Sequence, residues 1–156
     1  MTSSTSSVPA DAALSIHNLL GRYCERIDAG DFAGVGELFA QGELAAGDLD
    51  APAFVAGAEA IAAFYASGTK LHDGSPRTKH LVADIVLQDP ADDGSITSRS
   101  SYVVFQAVEG FALQPIIAGH YVDRFAIGPD GAWHFARRHF AVDLLGDLSH
   151  HWSGPT

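Results

Sequence analysis

The chain lacks several features that would assign it to a common class of protein. Cys24 is its only cysteine, so it can form neither an intrachain disulfide nor a cysteine-based zinc site. No apolar run approaches the length needed to cross a membrane. It has no G-x-G-x-x-G, Walker or G-x-S-x-G motif, which disfavours nucleotide cofactors and serine hydrolysis. We therefore expect a protein that uses no cofactor.

Positive charge is also scarce. Nine Lys and Arg residues stand against nineteen Asp and Glu residues, and the formal net charge is −10. Such a surface repels phosphate backbones and anionic lipids, so we expect neither nucleic acid nor a membrane as a partner. Histidines are numerous, but no HxH, HExxH or two-His-one-carboxylate spacing is present, and we expect no metal site.

The length of 156 residues suits one domain. Residues 1–9 are polar and lack the basic and apolar regions of a secretory signal, which favours a flexible tail and a cytoplasmic protein. We expect the domain to span residues 10–146 and a second tail to span residues 147–156.

The first half of the chain has helical periodicity. Apolar residues recur at i, i+3, i+4 and i+7 from Asp11 until Gly30 ends the pattern. Asp31 is a good N-cap for a second, short helix. Residues 42–56 indicate short strands and a loop, and a third helix is expected between Gly57 and Gly68.

After residue 75 the pattern changes to that of strands. Four stretches are rich in Val, Ile, Phe and Tyr, and turn sequences with Gly, Pro and Asp separate them. They are Thr78–Gln88, Ser95–Val108, Pro115–Ile127 and Ala132–Leu144. Short loops favour antiparallel pairing, so the sequence predicts an α+β fold with three helices on one face of one sheet.

Three colinear segments resemble SnoaL-like proteins of the nuclear transport factor 2-like superfamily. They are residues 19–39, in which a helix ends in Asp28 and Asp31-Phe32 begins the next; residues 57–61 with Thr78-Lys79-His80; and residues 119–138 with the turn Asp130-Gly131-Ala132-Trp133. The resemblance implies a cone-shaped, curved, mostly antiparallel sheet with the three helices on its concave face. Its open end would hold a small organic ligand. This fold hosts many functions, so activity has to be argued from the site.

Asp28 is the first candidate for chemistry. It shares a helical ridge with Leu20 and Cys24, at the edge of the buried face. Partial burial raises the pKa of a carboxyl group and makes it a usable base. Alternatively, Asp28 only accepts hydrogen bonds from loop amides in the last turn of the helix.

His80 is the second candidate. Strand alternation places it with Val82 and Asp84 on one face, opposite Leu81, Ala83 and Ile85. An imidazole can both take and give a proton near neutral pH. The alternative is an exposed histidine at the start of a strand.

The two residues match positions that act together in the scytalone dehydratase branch of the superfamily, which this sequence resembles. The resemblance implies that Asp28 orients His80, which moves a proton in a dehydration, and that each group favours the charged form of the other. Two positions depart from that branch: its second pocket histidine falls on Phe105, and the tyrosine before its aspartate falls on Ile27. The same substrate is therefore not expected.

Aromatic and polar side chains are candidates for lining the ligand site. His120 points away from Tyr121 and Asp123 on its strand, and either face could be the cavity face. The candidate ligand-binding residues are Tyr23, Phe64, Tyr65, Tyr102, Phe105, His120 and Tyr121.

These observations favour a cofactor-independent acid–base lyase, hydratase or isomerase that acts on a small, apolar, oxygenated compound. The alternative is a binding protein or accessory subunit, such as a dioxygenase small subunit, which uses the same pocket without chemistry. Because three short helices cannot cover both faces of four long strands, we also expect a homodimer through the outer sheet face.

Overall fold

The computed structural model describes residues 7–154. Most of the predicted N-terminal tail, residues 1–6, lies outside the described residues, as do residues 155–156. The described part of that tail contacts the domain: Val8 packs against the core, and the Ser7 amide donates a 2.9 Å hydrogen bond to Asp89 Oδ1.

Three helices form where the apolar periodicity predicts them. Their bounds are α1 Ala10–Ala29, α2 Phe32–Leu38 and α3 Ala58–Gly68. Gly30 ends α1 in the left-handed conformation, at φ 75°, which glycine adopts without a steric penalty. Asp31 then caps α2, because its carboxylate accepts a hydrogen bond from the Gly34 amide. None of the helices in the described range is long and apolar enough to cross a membrane.

Six strands in the described residues form one sheet in the order β2-β1-β6-β5-β4-β3. Their bounds are β1 Glu43–Ala46, β2 Val55–Ala56, β3 Thr78–Leu87, β4 Ile96–Val108, β5 Phe111–Ile127 and β6 Trp133–Leu145. The β1–β6 pair is parallel and the other neighbouring pairs are antiparallel. The predicted α+β fold with a mostly antiparallel sheet is therefore confirmed.

A β-bulge in β3 corrects the alternation predicted for that strand. The register shifts between Ala83 and Val86, and Asp84 adopts a left-handed conformation at φ 53°. His80 and Val82 share a face as predicted, and that face is the buried one, but Asp84 is exposed and does not share it. The extra residue of the bulge displaces the alternation.

The inner face of the sheet packs against the helices and contains a buried ion pair. Arg138 of β6 donates from Nε and Nη2 to the two carboxylate oxygens of Asp123 on β5, at 2.8 and 2.7 Å. Both side chains are almost completely buried. Burial alone would lower the pKa of Arg138, but the charge of Asp123 raises it well above its ordinary value. The pair is therefore ionised, with the two parallel hydrogen bonds that such burial requires.

The C-terminal segment after β6 folds back onto the domain, so the predicted tail at residues 147–156 needs correction. The amides of Lys70 and Ser153 donate to His151 O and Gly68 O, at 2.8 and 2.9 Å. Trp152 also contacts the ring of Phe64, with 5.5 Å between the centroids. These contacts join the segment to the end of α3.

We predict that Asp123→Asn strongly destabilises the protein, because it leaves the guanidinium of Arg138 buried without a counter-charge. The expected loss is about 3–5 kcal/mol in the free energy of unfolding, measured by urea denaturation. The double variant Asp123→Leu with Arg138→Met should recover most of this loss. A loss below about 1 kcal/mol in Asp123→Asn would contradict the role assigned to the pair.

Candidate functional site

The last turn of α1 meets the start of β3 through Asp28 and His80. His80 Nδ1 lies 2.6 Å from Asp28 Oδ1. The His80 amide donates to Asp28 Oδ2 at 2.9 Å, and Thr78 Oγ1 donates to Asp28 Oδ1 at 2.9 Å. The side chains of Asp28 and His80 are only 11% and 7% exposed. The two candidate catalytic residues thus form a nearly sealed pair.

The hydrogen bonds determine the charge of Asp28. Burial raises its pKa, as expected from the sequence, but the hydrogen bonds and charge of His80 and the Thr78 hydroxyl lower it by more. The net pKa is below the ordinary value, so Asp28 is a carboxylate at neutral pH. It accepts a hydrogen bond from His80 Nδ1, and in the tautomer that carries its hydrogen on Nδ1 the lone pair is on Nε2. Nε2 makes no hydrogen bond to any residue between 7 and 154.

Tyr23 connects this pair to the buried arginine. Its ring lies edge-on to His80, with 6.1 Å between the ring centroids, and the guanidinium carbon of Arg138 is 4.2 Å from the Tyr23 centroid. The hydroxyls of Tyr23 and Tyr65 are 3.3 Å apart. Burial raises the pKa of both tyrosines well above the ordinary value. Both phenols are therefore neutral and can donate hydrogen bonds.

The other predicted lining tyrosines lie on the same inner face. Tyr102 and Tyr121 stack with 4.3 Å between centroids, and the guanidinium of Arg138 lies 3.9 Å from the Tyr121 ring centre. Burial raises the pKa of Tyr102 to about 12, and its hydroxyl donates to Ala141 O. Phe64 is half-buried beside Tyr65, with 5.3 Å between their rings.

Two of the predicted ligand-binding residues face the other way. The neighbours of Phe105, Val104 and Gln106, are buried on the inner face, so Phe105 lies on the outer face. His120 is half-exposed on the outer face, where its Nδ1 lies 2.9 Å from Asp143 Oδ2. Because both side chains lie on the face of the sheet opposite to the buried one, neither residue lines the inner site.

Sequence reasoning missed two residues of this region, Arg138 and His151. The pair Arg137-Arg138 was visible as a motif, but only the register with Asp123 shows which arginine is buried. His151 belongs to the segment predicted as a tail and could not be placed without the fold. The described His, Cys, Asp and Glu side chains contain no group of three that could hold a metal ion.

Asp28→Asn provides a test of the charge at this site. Because the carboxyl pKa is lowered in the folded protein, its stabilisation is complete above about pH 4 and is lost as the pH falls through the folded pKa. We predict that the variant is less stable than the wild type by about 1–3 kcal/mol at pH 7. The difference should shrink below about pH 4.

Urea denaturation between pH 7 and pH 2.5 measures this difference. Asp143→Asn, which changes the exposed His120–Asp143 pair, is the matched control and should alter stability little at any pH. A difference for Asp28→Asn that does not depend on pH would contradict the assigned charge.

Several solved structures share this fold. Rv3472, a protein of unknown function from Mycobacterium tuberculosis, is 26% identical over 88% of this chain and 79% of its own, with a TM-score of 0.69. The β subunit of a provisionally assigned aromatic-ring-hydroxylating dioxygenase from Novosphingobium aromaticivorans is 22% identical, covers 86% of this chain and 91% of its own, and has a TM-score of 0.65. A provisionally assigned scytalone dehydratase from the same organism is 18% identical, covers 86% of each chain, and has a TM-score of 0.65.

The sequence comparisons identify the family. No curated protein sequence matches the chain significantly. A model of the SnoaL-like domain, however, matches residues 9–139. That range includes α1, β3 and the buried arginine, and hence all parts of the site except the C-terminal segment. The chain therefore belongs to the SnoaL-like domain family.

Proposed function

We propose that the protein is a cofactor-independent acid–base enzyme that eliminates water from, or isomerises, a small, apolar, oxygenated compound. The observation that carries this proposal is the 2.6 Å contact between Asp28 and His80, with His80 Nε2 left without a hydrogen bond in the described part of the chain. An ionised carboxylate behind an imidazole fixes the tautomer and stabilises the imidazolium. Proton transfer is the chemistry that such a pair supports.

A β-hydroxy ketone illustrates the proposed step. His80 Nε2 takes the proton from the carbon next to the carbonyl, and the electrons of that C–H bond form an enolate. The enolate then re-forms the carbonyl and a carbon–carbon double bond, and the C–O bond to the hydroxyl group breaks. The imidazolium of His80 returns its proton to the departing hydroxyl, which leaves as water. Asp28 remains a carboxylate throughout.

The surroundings support an aromatic or otherwise flat substrate. Tyr23, whose ring contacts His80, begins a continuous set of aromatic ring contacts. The set continues through Tyr65 and Phe64 to Trp152. Aromatic walls favour a flat apolar ligand, and neutral phenols supply hydrogen bonds to its oxygens. The charge of Arg138 next to Tyr23 favours negative charge that develops on such an oxygen.

A non-catalytic role is the second candidate, and one observation favours it. Asp28 also accepts hydrogen bonds from the backbone of His80 and from Thr78, so it joins α1 to β3 whether or not chemistry occurs. In that case the protein would bind a ligand or act as an accessory subunit. A change of His80 should lower turnover if the protein is an enzyme, and should affect only stability or binding if it is not.

We predict that His80→Gln strongly lowers the rate of turnover. A β-hydroxytetralone is a suitable probe, because its loss of water produces a naphthol whose fluorescence can be followed. The rate of naphthol formation should fall by about 10²–10⁴-fold, the usual contribution of a general base. His120→Gln is the matched control, because it changes the exposed histidine–aspartate pair on the outer face. It should keep the wild-type rate.

Equal rates for His80→Gln and the wild type would refute the proposed catalysis. If the wild type forms no naphthol, deuterium exchange next to the carbonyl in a panel of cyclic ketones tests proton abstraction alone. No exchange above the solvent rate on any of them, together with a lower unfolding midpoint in His80→Gln, would favour the binding role.

We also propose that the outer face of the sheet forms a homodimer. A row of apolar residues crosses four strands in register, from Leu81 through Val103 and Ala118 to Leu144. Leu81 and Leu144 are 48% and 71% exposed. A contiguous apolar row of this kind is costly in water and is commonly buried against a second copy in homodimers.

We predict a dimeric mass for the wild type in light scattering at micromolar concentration, and a monomeric mass for Leu144→Asp. The carboxylate would have to be buried unpaired at the interface, which disfavours association. Leu113→Asp is the control, since Leu113 is 72% exposed near the start of β5 and lies outside this row. A monomeric wild type would rule out this dimer.

A further inference from the structure

The C-terminal segment, residues 147–153, is hydrogen-bonded to the inner face of the sheet close to the start of β3. The carbonyl of His150 accepts a 3.0 Å hydrogen bond from Gln106 Nε2 and lies 2.8 Å from His72 Nε2. Gln106 is buried on the inner face of β4 and pairs with Thr78, whose hydroxyl donates to Asp28. These bonds bring the segment to the same face as the dyad.

The segment has a defined seat on α3. Trp152 packs against Gly68, and a Cβ atom at position 68 would come within 2.1 Å of the Trp152 ring. Thr69 and Trp152 also form a β-bridge. Because only glycine leaves room for the indole, the fold of α3 fixes the position of Trp152 and of the residue before it.

His151, the residue before Trp152, is held by backbone hydrogen bonds to Lys70 and Leu148, and it lies within electrostatic range of His80 and Asp28. Its carbonyl is bound by the Lys70 amide. Its Nδ1 is buried and has no hydrogen-bond partner among the described residues. Burial, and then the nearby His80, lower the pKa of His151 to about 4, with Asp28 and His72 as the other charged or titratable groups that act on it. The ring is therefore neutral at neutral pH.

We propose that His151 is a second catalytic imidazole of this site, which donates a hydrogen bond to the ketone oxygen of the substrate while His80 moves the proton. The inference rests on the proposed elimination chemistry. His151 transfers no proton: in the tautomer with its hydrogen on Nδ1, it stabilises the negative charge that the oxygen gains when His80 abstracts the proton. A neutral imidazole suits this role, because it can polarise a carbonyl without giving up its hydrogen.

In this assignment, the C-terminal segment adds a third residue to the site formed by Asp28 and His80. His80 and Asp28 come from β3 and α1, inside the range of the family match, whereas His151 comes from the segment that follows it. The substrate class is accordingly a flat ketone or enol whose oxygen lies at the segment side of the site.

Turnover of the β-hydroxytetralone by His151→Ala and His151→Gln tests the proposal. His151→Ala should lower kcat by about 10²-fold with little change in KM, as for the loss of one oxyanion donor. His151→Gln, which keeps an N–H donor, should recover part of the loss. His150→Ala is the matched control, since that ring packs against Phe111, and it should keep the wild-type kcat. Unchanged kcat in His151→Ala would overturn the inference, even where His80→Gln is inactive.

Binding gives a readout that does not require turnover. A naphthol carries an enol oxygen on a flat ring, and its affinity can be measured by calorimetry. We expect binding at least ten-fold weaker in His151→Ala than in the wild type and in His150→Ala. If His151→Ala binds naphthol more weakly but the wild type shows no turnover, the contact between His151 and the ligand oxygen is supported and the proposed elimination is not. Binding that is absent from the wild type, or equal in the wild type and His151→Ala, would overturn the inference.

Discussion

The site depends on one buried carboxylate. Asp28 accepts hydrogen bonds from the ring and amide of His80 and from the Thr78 hydroxyl. These bonds keep the carboxylate charged despite its burial, fix the end of α1 against the start of β3, and hold the imidazole in one tautomer. Structure and proposed chemistry therefore use the same contacts. A change at Asp28 affects both, which is why His80, with its lone pair on Nε2, is the better test of catalysis.

A second charge organises the interior beside this carboxylate. The Arg138 guanidinium is paired with Asp123 and lies between the rings of Tyr23 and Tyr121. An ion pair in this position costs desolvation energy and contributes little to stability compared with apolar packing. Its proximity to neutral phenols and to the dyad gives it a chemical use, because it favours negative charge next to Tyr23. Under the proposed function, the charges of Asp28 and Arg138 would suit an oxygenated ligand in an otherwise aromatic interior.

The same strand pairing separates an inner site from an outer surface. On β5, Tyr121 faces the core while its neighbour His120 meets Asp143 on the outside. The described part of the chain therefore carries two histidine–aspartate pairs of similar geometry, and of these the one at the end of α1 is buried. Burial, rather than the pairing itself, distinguishes the candidate catalytic pair from the surface one, since exposed pairs are screened by water.

The sequence by itself determined the helices and the four long strands, because periodicity, capping residues and turn residues act over a few neighbours. The pairing of Asp28 with His80 came from the resemblance to the scytalone dehydratase branch. It also predicted that His120 and Tyr121 point in opposite directions, but not which of them faces inward. Tertiary structure decided that question, since only the packing of α1 on the sheet defines a buried face. It also decided that Arg138 rather than Arg137 meets Asp123, that the bulge turns Asp84 outward, and that residues 147–153 fold back onto α3 and the inner face of the sheet. These placements depend on register and on contacts between residues far apart in the chain, and no local pattern encodes them.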